Sequence, residues 1–80
     1  MIVEIITFRA SDDYLTKEAA IYESMCTQRG FMRRTTARDG DEWCAVQLWD
    51  CLADAEAGWS EDFAGAVDVV SVRRYEDLGG

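Results

Sequence analysis

Residues 31–50 read FMRRTTARDGDEWCAVQLWD. Asp39-Gly40-Asp41 separates two β-prone runs, and Asp-Gly in that setting is a strong hairpin signal. The predicted strands are Phe31–Arg38 and Glu42–Trp49, and the chain then turns into a helix capped by Asp50. The second of these strands alternates two sets, Trp43, Ala45, Gln47, Trp49 against Cys44, Val46, Leu48. Both sets are largely apolar, so both faces of the strand need cover.

Outward from the hairpin, Ile2–Phe8 is a β-branched run too short for a helix and reads as a first strand. Ser11-Asp12-Asp13 supplies an N-cap and acidic first-turn residues. Leu15, Ala19, Tyr22 and Cys26 then recur at helical spacing, and Gly30 is the expected helix stop. After the hairpin, Leu52, Ala55, Trp59 and Phe63 form a second helical stripe, weakened at Gly58 by about 1 kcal/mol relative to alanine. Val67–Tyr75 reads as a fourth strand, and the tail 76–80 as mobile. The order β-α-β-β-α-β is the split βαβ, ferredoxin-like pattern of an α+β domain. Right-handed crossovers place both helices on one face of a four-stranded antiparallel sheet. The smaller set Cys44, Val46, Leu48 suits the helices, which sends the tryptophan set outward to an interface or a ligand.

Eighty residues make a single domain spanning 1–80. A chain of this size buries roughly 60% of the surface its unfolded form exposes. A hydrophobic content of 49% is high for so small a core and points to a homodimer through the sheet face. Sixteen acidic residues against eight basic ones give a net charge of −8. That excess argues against nucleic acid and against an anionic membrane surface as partners. Nine acidic residues and no basic one lie between Asp39 and Asp68. Three cysteines without CxxC spacing, and no histidine, argue against a disulfide framework and a metal site. Reduced, mostly buried thiols and the lack of an 18-residue apolar run or a leader pattern imply a soluble cytoplasmic protein.

The joint GFMRRTTARDGDEW…LWDCLADAEAGW resembles the antibiotic-biosynthesis-monooxygenase-like branch of the dimeric α+β barrel superfamily. The points of likeness are Gly30-Phe31 opening strand two, the hairpin Asp39–Asp41, Trp49-Asp50, and the Ala-rich acidic helix at Leu52–Ala57. The resemblance implies a homodimer with two sheets packed around a barrel. Monooxygenase members oxidise aromatic polyketides without metal or flavin, so no cofactor is expected. Haem-degrading members use an Asn on strand one, a Trp ending strand three and a His after the second helix. Trp49 matches the Trp, the Asn position falls near Thr7, and the His has no counterpart, which disfavours haem degradation. The link from Phe63 to Val67 is short where relatives carry a pocket roof.

The candidate substrate-binding residues are Trp49, Thr7, Gln47, Trp43 and Tyr22, with Trp49 stacking on a planar molecule. Each also has a plain structural role open to it. Arg33 and Arg34 must point to opposite faces, as must Arg73 and Arg74. Strands two and four are the expected edges, where charge blocks unwanted pairing. These arginines could instead hold an anionic ligand or pair across a dimer with the acidic second helix. Glu4, inside an apolar strand, needs a partner such as Arg73 or Arg74, unless it serves as a general base. The residues name no reaction. Two readings stand: a dimeric module that is non-catalytic or binds an unknown small molecule through its sheet face, and a cofactor-free monooxygenase acting on an aromatic, polyketide-like substrate.

Overall fold

In the computed structural model, which describes residues 1–79, four antiparallel strands form one sheet in the order β2-β3-β1-β4. They are β1 (Ile2–Arg9), β2 (Phe31–Asp39), β3 (Glu42–Trp49) and β4 (Asp68–Glu76). The helices are α1 (Leu15–Met25), α2 (Leu52–Ala57) and α3 (Glu61–Ala66). They cover one side of the sheet, hereafter the helix side, and leave the other side open. The hairpin forms as read: Gly40 takes φ 63° while no non-glycine residue among those described has positive φ. Positive φ at the first central residue only is the type II′ pattern, whose twist suits a hairpin. The expected edge strands, β2 and β4, are the edges. Gly80 of the tail expected to be mobile lies outside the described residues.

The sheet is turned over relative to the sequence expectation. Trp43, Ala45, Gln47 and Trp49 lie under the helices, at most 4% exposed, while Cys44, Val46 and Leu48 are half-buried on the open face. The helix side has room for rings. Phe8 stacks near Trp43 with centroids 5.8 Å apart, and Phe63 meets Phe8 edge-on at 5.0 Å. Such offset and edge-to-face pairs add about 0.5–1.5 kcal/mol each beyond area burial. The smaller aliphatic set could not fill that layer.

The α1 stripe is offset by one residue from the expected one. Its inward positions are Tyr14, Glu18, Ile21 and Met25, whereas Leu15, Tyr22 and Cys26 are exposed. A glutamate occupies an inward position because it is ion-paired there, as described below. A 3-10 turn at Asp12–Tyr14 precedes α1, and Ser11 makes no side-chain cap bond. The helix stops at Met25, short of Gly30, which takes φ 77° in the bend into β2.

The second helix is two. It breaks at Gly58, and Ser60 caps α3 by accepting from the Phe63 amide at 3.1 Å. Cys51, not Asp50, is the N-cap residue of α2. Leu52, placed on the expected stripe, is exposed. The thiols are less buried than expected: Cys26 and Cys51 are exposed and Cys44 is half-buried. Two of the three sit at helix ends, where the chain is at the surface.

Gly58 is buried against the tip of the Trp49 ring, and a Cβ built there overlaps it. Gly58→Ala is therefore expected to destabilise the fold by about 1–3 kcal/mol, as overpacking does. Urea denaturation reads this directly. An unchanged midpoint would show that the ring has space to move.

Candidate functional site

Register places four polar side chains in one row across the helix side. Arg34 on β2 is opposite Gln47 on β3, Gln47 is opposite Glu4 on β1, and Glu4 is opposite Arg74 on β4. They are bonded end to end. Arg34 Nη1 donates to Gln47 Oε1 at 2.5 Å, and Gln47 Nε2 donates to Glu4 Oε1 at 2.5 Å. Trp49 Nε1 donates to the same Glu4 oxygen at 3.1 Å, and Arg74 Nε donates to Glu4 Oε2 at 2.7 Å. Glu4 thus finds one of the two partners expected for it.

Helix α1 closes the row at the β2 end. Arg34 Nε donates to Glu18 Oε1 at 2.8 Å, and its Nη2 reaches Tyr14 Oη at 3.2 Å and Glu18 Oε2 at 3.1 Å. Thr36 Oγ1 donates to Glu18 at 2.6 Å, and the Tyr14 hydroxyl also donates to Glu18. The Arg34 guanidinium lies 4.7 Å from the centre of the Phe63 ring. Two carboxylates and two guanidiniums balance, and among the described residues no buried side-chain nitrogen or oxygen lacks a partner. Burial raises the Glu18 carboxyl, but the bonds from Arg34, Thr36 and Tyr14 outweigh it and hold it below its ordinary value of 4.5. Burial, then the bond to Glu18, pushes the Tyr14 hydroxyl up.

The open face carries a different feature. A groove of about 540 Å³ lies at the hairpin end of the sheet, lined by Thr7, Ala37, Cys44 and Val70, with Arg9, Arg38 and Glu42 at its rim. Val70 is the extra residue of a bulge in β4, since Thr7 pairs with Ser71 and Phe8 with Val69. Thr7 Oγ1 and Ser71 Oγ share a hydrogen bond of 2.5 Å beside it.

The five residues singled out from the sequence are divided between these places. Gln47 and Trp49 belong to the buried row. Thr7 lies on the opposite face, in the groove. Trp43 is buried on the helix side and also lines the groove at the sheet's end, its Nε1 donating to the Ala10 carbonyl at 3.2 Å. Tyr22 stays at the surface of α1, edge-on to Phe31 at 6.0 Å. Sequence reading passed over Glu18, Tyr14 and Thr36. A signal was present, because Tyr14 and Glu18 are one helical turn apart, and Arg34 shares its strand face with Thr36.

No protein-family model matches the chain, and no curated protein matches it. Solved structures do. SnoaB from Streptomyces nogalater, a cofactor-independent oxygenase, superposes with a TM-score of 0.80 at 13% identity, covering 99% of this chain and 94% of that one. A proposed antibiotic biosynthesis monooxygenase from Bordetella bronchiseptica gives 0.77 at 16% identity, with 96% of each chain covered. Another, from Nitrosomonas europaea, gives 0.69 at 20% identity, covering 99% of this chain and all of that one. The chain has the fold of the antibiotic-biosynthesis-monooxygenase-like α+β proteins. No helix among the described residues is long and apolar enough to cross a membrane.

Two outcomes follow from the row. Arg34→Ala takes the guanidinium from Glu18 and the donor from Gln47 Oε1, and is expected to cost about 3–5 kcal/mol in urea denaturation. A loss under 1 kcal/mol would show that the row is dispensable. Glu18 is depressed in the folded state, so it stabilises the fold above 4.5 and that contribution drains away as pH falls through its folded value. Stability should decline on acidification below about pH 4.5, and Glu18→Gln should flatten the decline. Parallel slopes for the two proteins would rule this contribution out.

Proposed function

We propose that this chain works as a homodimer closed through its open sheet face, and that the enclosed face holds a small apolar or aromatic molecule. The observation that carries this is the open face itself. Val3, Ile5, Thr7, Cys44, Val46 and Leu48 line its two central strands, and each is only half-buried. So small a domain gains stability by covering such a patch. The groove of about 540 Å³ on that face falls within the range of drug-sized ligand sites. Its floor offers apolar surface, and the Thr7 and Ser71 hydroxyls offer a polar anchor.

Light scattering at micromolar concentration should return twice the chain mass of 9.0 kDa. A folded monomer would contradict the reading. Trp43 borders the groove, so an apolar or aromatic ligand should change its emission, and Thr7→Val should weaken the binding. If no member of an aromatic panel perturbs emission while the dimer persists, the protein is a dimeric module alone.

A second reading is a cofactor-free monooxygenase acting on an aromatic, polyketide-like substrate. Its support is the fold shared with SnoaB, a cofactor-independent oxygenase. On this reading the substrate reaches Trp49 and Gln47 by parting the helices from the sheet. Oxygen uptake with electron-rich phenols, lost in Trp49→Phe, would favour it. The absence of uptake across the panel would leave the binding module.

A further inference from the structure

We infer that the groove on the open face selects a protonated amine on a short arm from an apolar body, the body lying on the groove's floor and the ammonium held at its rim by Asp39 and Glu42. This rests on the ligand reading of the groove and adds to it the charge and shape of the ligand.

Floor and rim are adjacent rows of the sheet. Register places Ala37 on β2, Cys44 on β3 and Thr7 on β1 side by side, and Val70 of the β4 bulge completes the floor. None of the four carries a charge. The next row toward the hairpin is Asp39, Glu42 and Arg9, all three lining the groove. Successive residues on one face of a strand are about 7 Å apart. A ligand that fills the floor and reaches the rim therefore has its polar head about 7 Å from the centre of its body.

The rim is poor in cations. Asp39 and Glu42 are directly opposite one another in the pair that closes the hairpin. Side chains so placed have Cβ atoms about 5 Å apart, and like charges there repel. Asp39 makes no ion pair among the described residues. Glu42 has only Arg9, at 3.9 Å, and Arg9 is shared with Asp41 at 3.7 Å. Arg38 also lines the groove, but its charge is engaged elsewhere. It donates to Asp12 Oδ1 at 2.5 Å, and its guanidinium lies 5.0 Å from the centre of the Trp43 ring. Two facing carboxylates thus stand at the mouth of an apolar groove with one loosely held guanidinium beside them.

Charge complementarity chooses between head groups. A carboxylate head would meet the field of Asp39, Asp41 and Glu42, and the chain's net charge of −8 opposes its approach. A neutral head would leave the repulsion at the rim as it is. A protonated amine is drawn in by the same field, and its N–H groups donate to both carboxylates. Burial of the body on the floor supplies the affinity, and the exposed rim supplies the selection.

The test is calorimetric titration of the intact protein with 3-phenylpropylamine, 3-phenylpropanol and 3-phenylpropanoate, which differ in the head group alone. The amine is expected to bind roughly 5-fold more tightly than the alcohol, and the carboxylate more weakly than either. Asp39→Asn with Glu42→Gln should bring the amine to the alcohol's affinity and leave alcohol binding unchanged. Both positions are exposed, and asparagine keeps the turn chemistry before Gly40. Asp39→Asn alone should raise the urea midpoint of the free protein, because it removes repulsion and no ion pair. A lowered midpoint would assign that carboxylate to the hairpin and overturn its assignment to a ligand. Equal affinity for amine and alcohol, or an amine preference that survives the double variant, would overturn the selection and leave a groove for neutral molecules. Binding of none of the three would overturn the ligand reading beneath it.

Discussion

The fold depends on tying two carboxylates and two guanidiniums into one connected row, in which Glu4 and Arg34 are buried, Glu18 is half-buried and Arg74 sits at the exposed end. Arg34, Gln47, Glu4 and Arg74 are paired across all four strands, and Glu18 with Tyr14 ties α1 to the end of the row. Each charge would be costly to bury alone. Together they leave no buried side-chain nitrogen or oxygen without a partner among the described residues. A slip of any strand by one residue would move its member of the row to the other face and leave its neighbours unpaired. The row therefore fixes register, facing and the seating of α1 in one step. The aromatic layer of Phe8, Trp43 and Phe63 adds apolar burial beside the row, but rings alone tolerate sliding.

What the row settles on one face determines what remains on the other. With the tryptophans and the paired charges under the helices, the open face is left with β-branched and small residues in the middle and charges at its ends. That is the flat surface which, on the proposed function, a second copy covers. The groove beside Thr7 forms where the β4 bulge lifts Val70 out of the regular pleat. The likeness to SnoaB extends over nearly the whole chain at the level of the backbone. At 13% identity it carries the fold across and leaves the chemistry to the side chains.

Much of this was readable in the sequence. The Asp39-Gly40 turn, the β-α-β-β-α-β order, the edge positions of β2 and β4, and the pairing of Glu4 with a β4 arginine all follow from local rules. The facing of β3 did not, because both of its alternating sets are apolar and residue size argued for the wrong one. The deciding residue was Gln47. It belongs with whichever face holds Glu4 and Arg34, and that requires the register. The α1 stripe was misplaced by one residue for the same reason, since Glu18 reads as solvent-facing until Arg34 is put opposite it. The break at Gly58 was visible only as a weak point. The contact of Trp49 with Gly58 crosses elements that no local pattern connects.

The central claim is that the buried row holds Trp43 and Trp49 under the helices and reserves the opposite face for a second copy. Iodide quenching of a Trp59→Phe variant, diluted until it is monomeric, tests this most directly. The two remaining tryptophans should be as shielded in the monomer as in the dimer, with blue-shifted emission. Strong quenching that vanishes on dimerisation would place them on the open face and contradict the account.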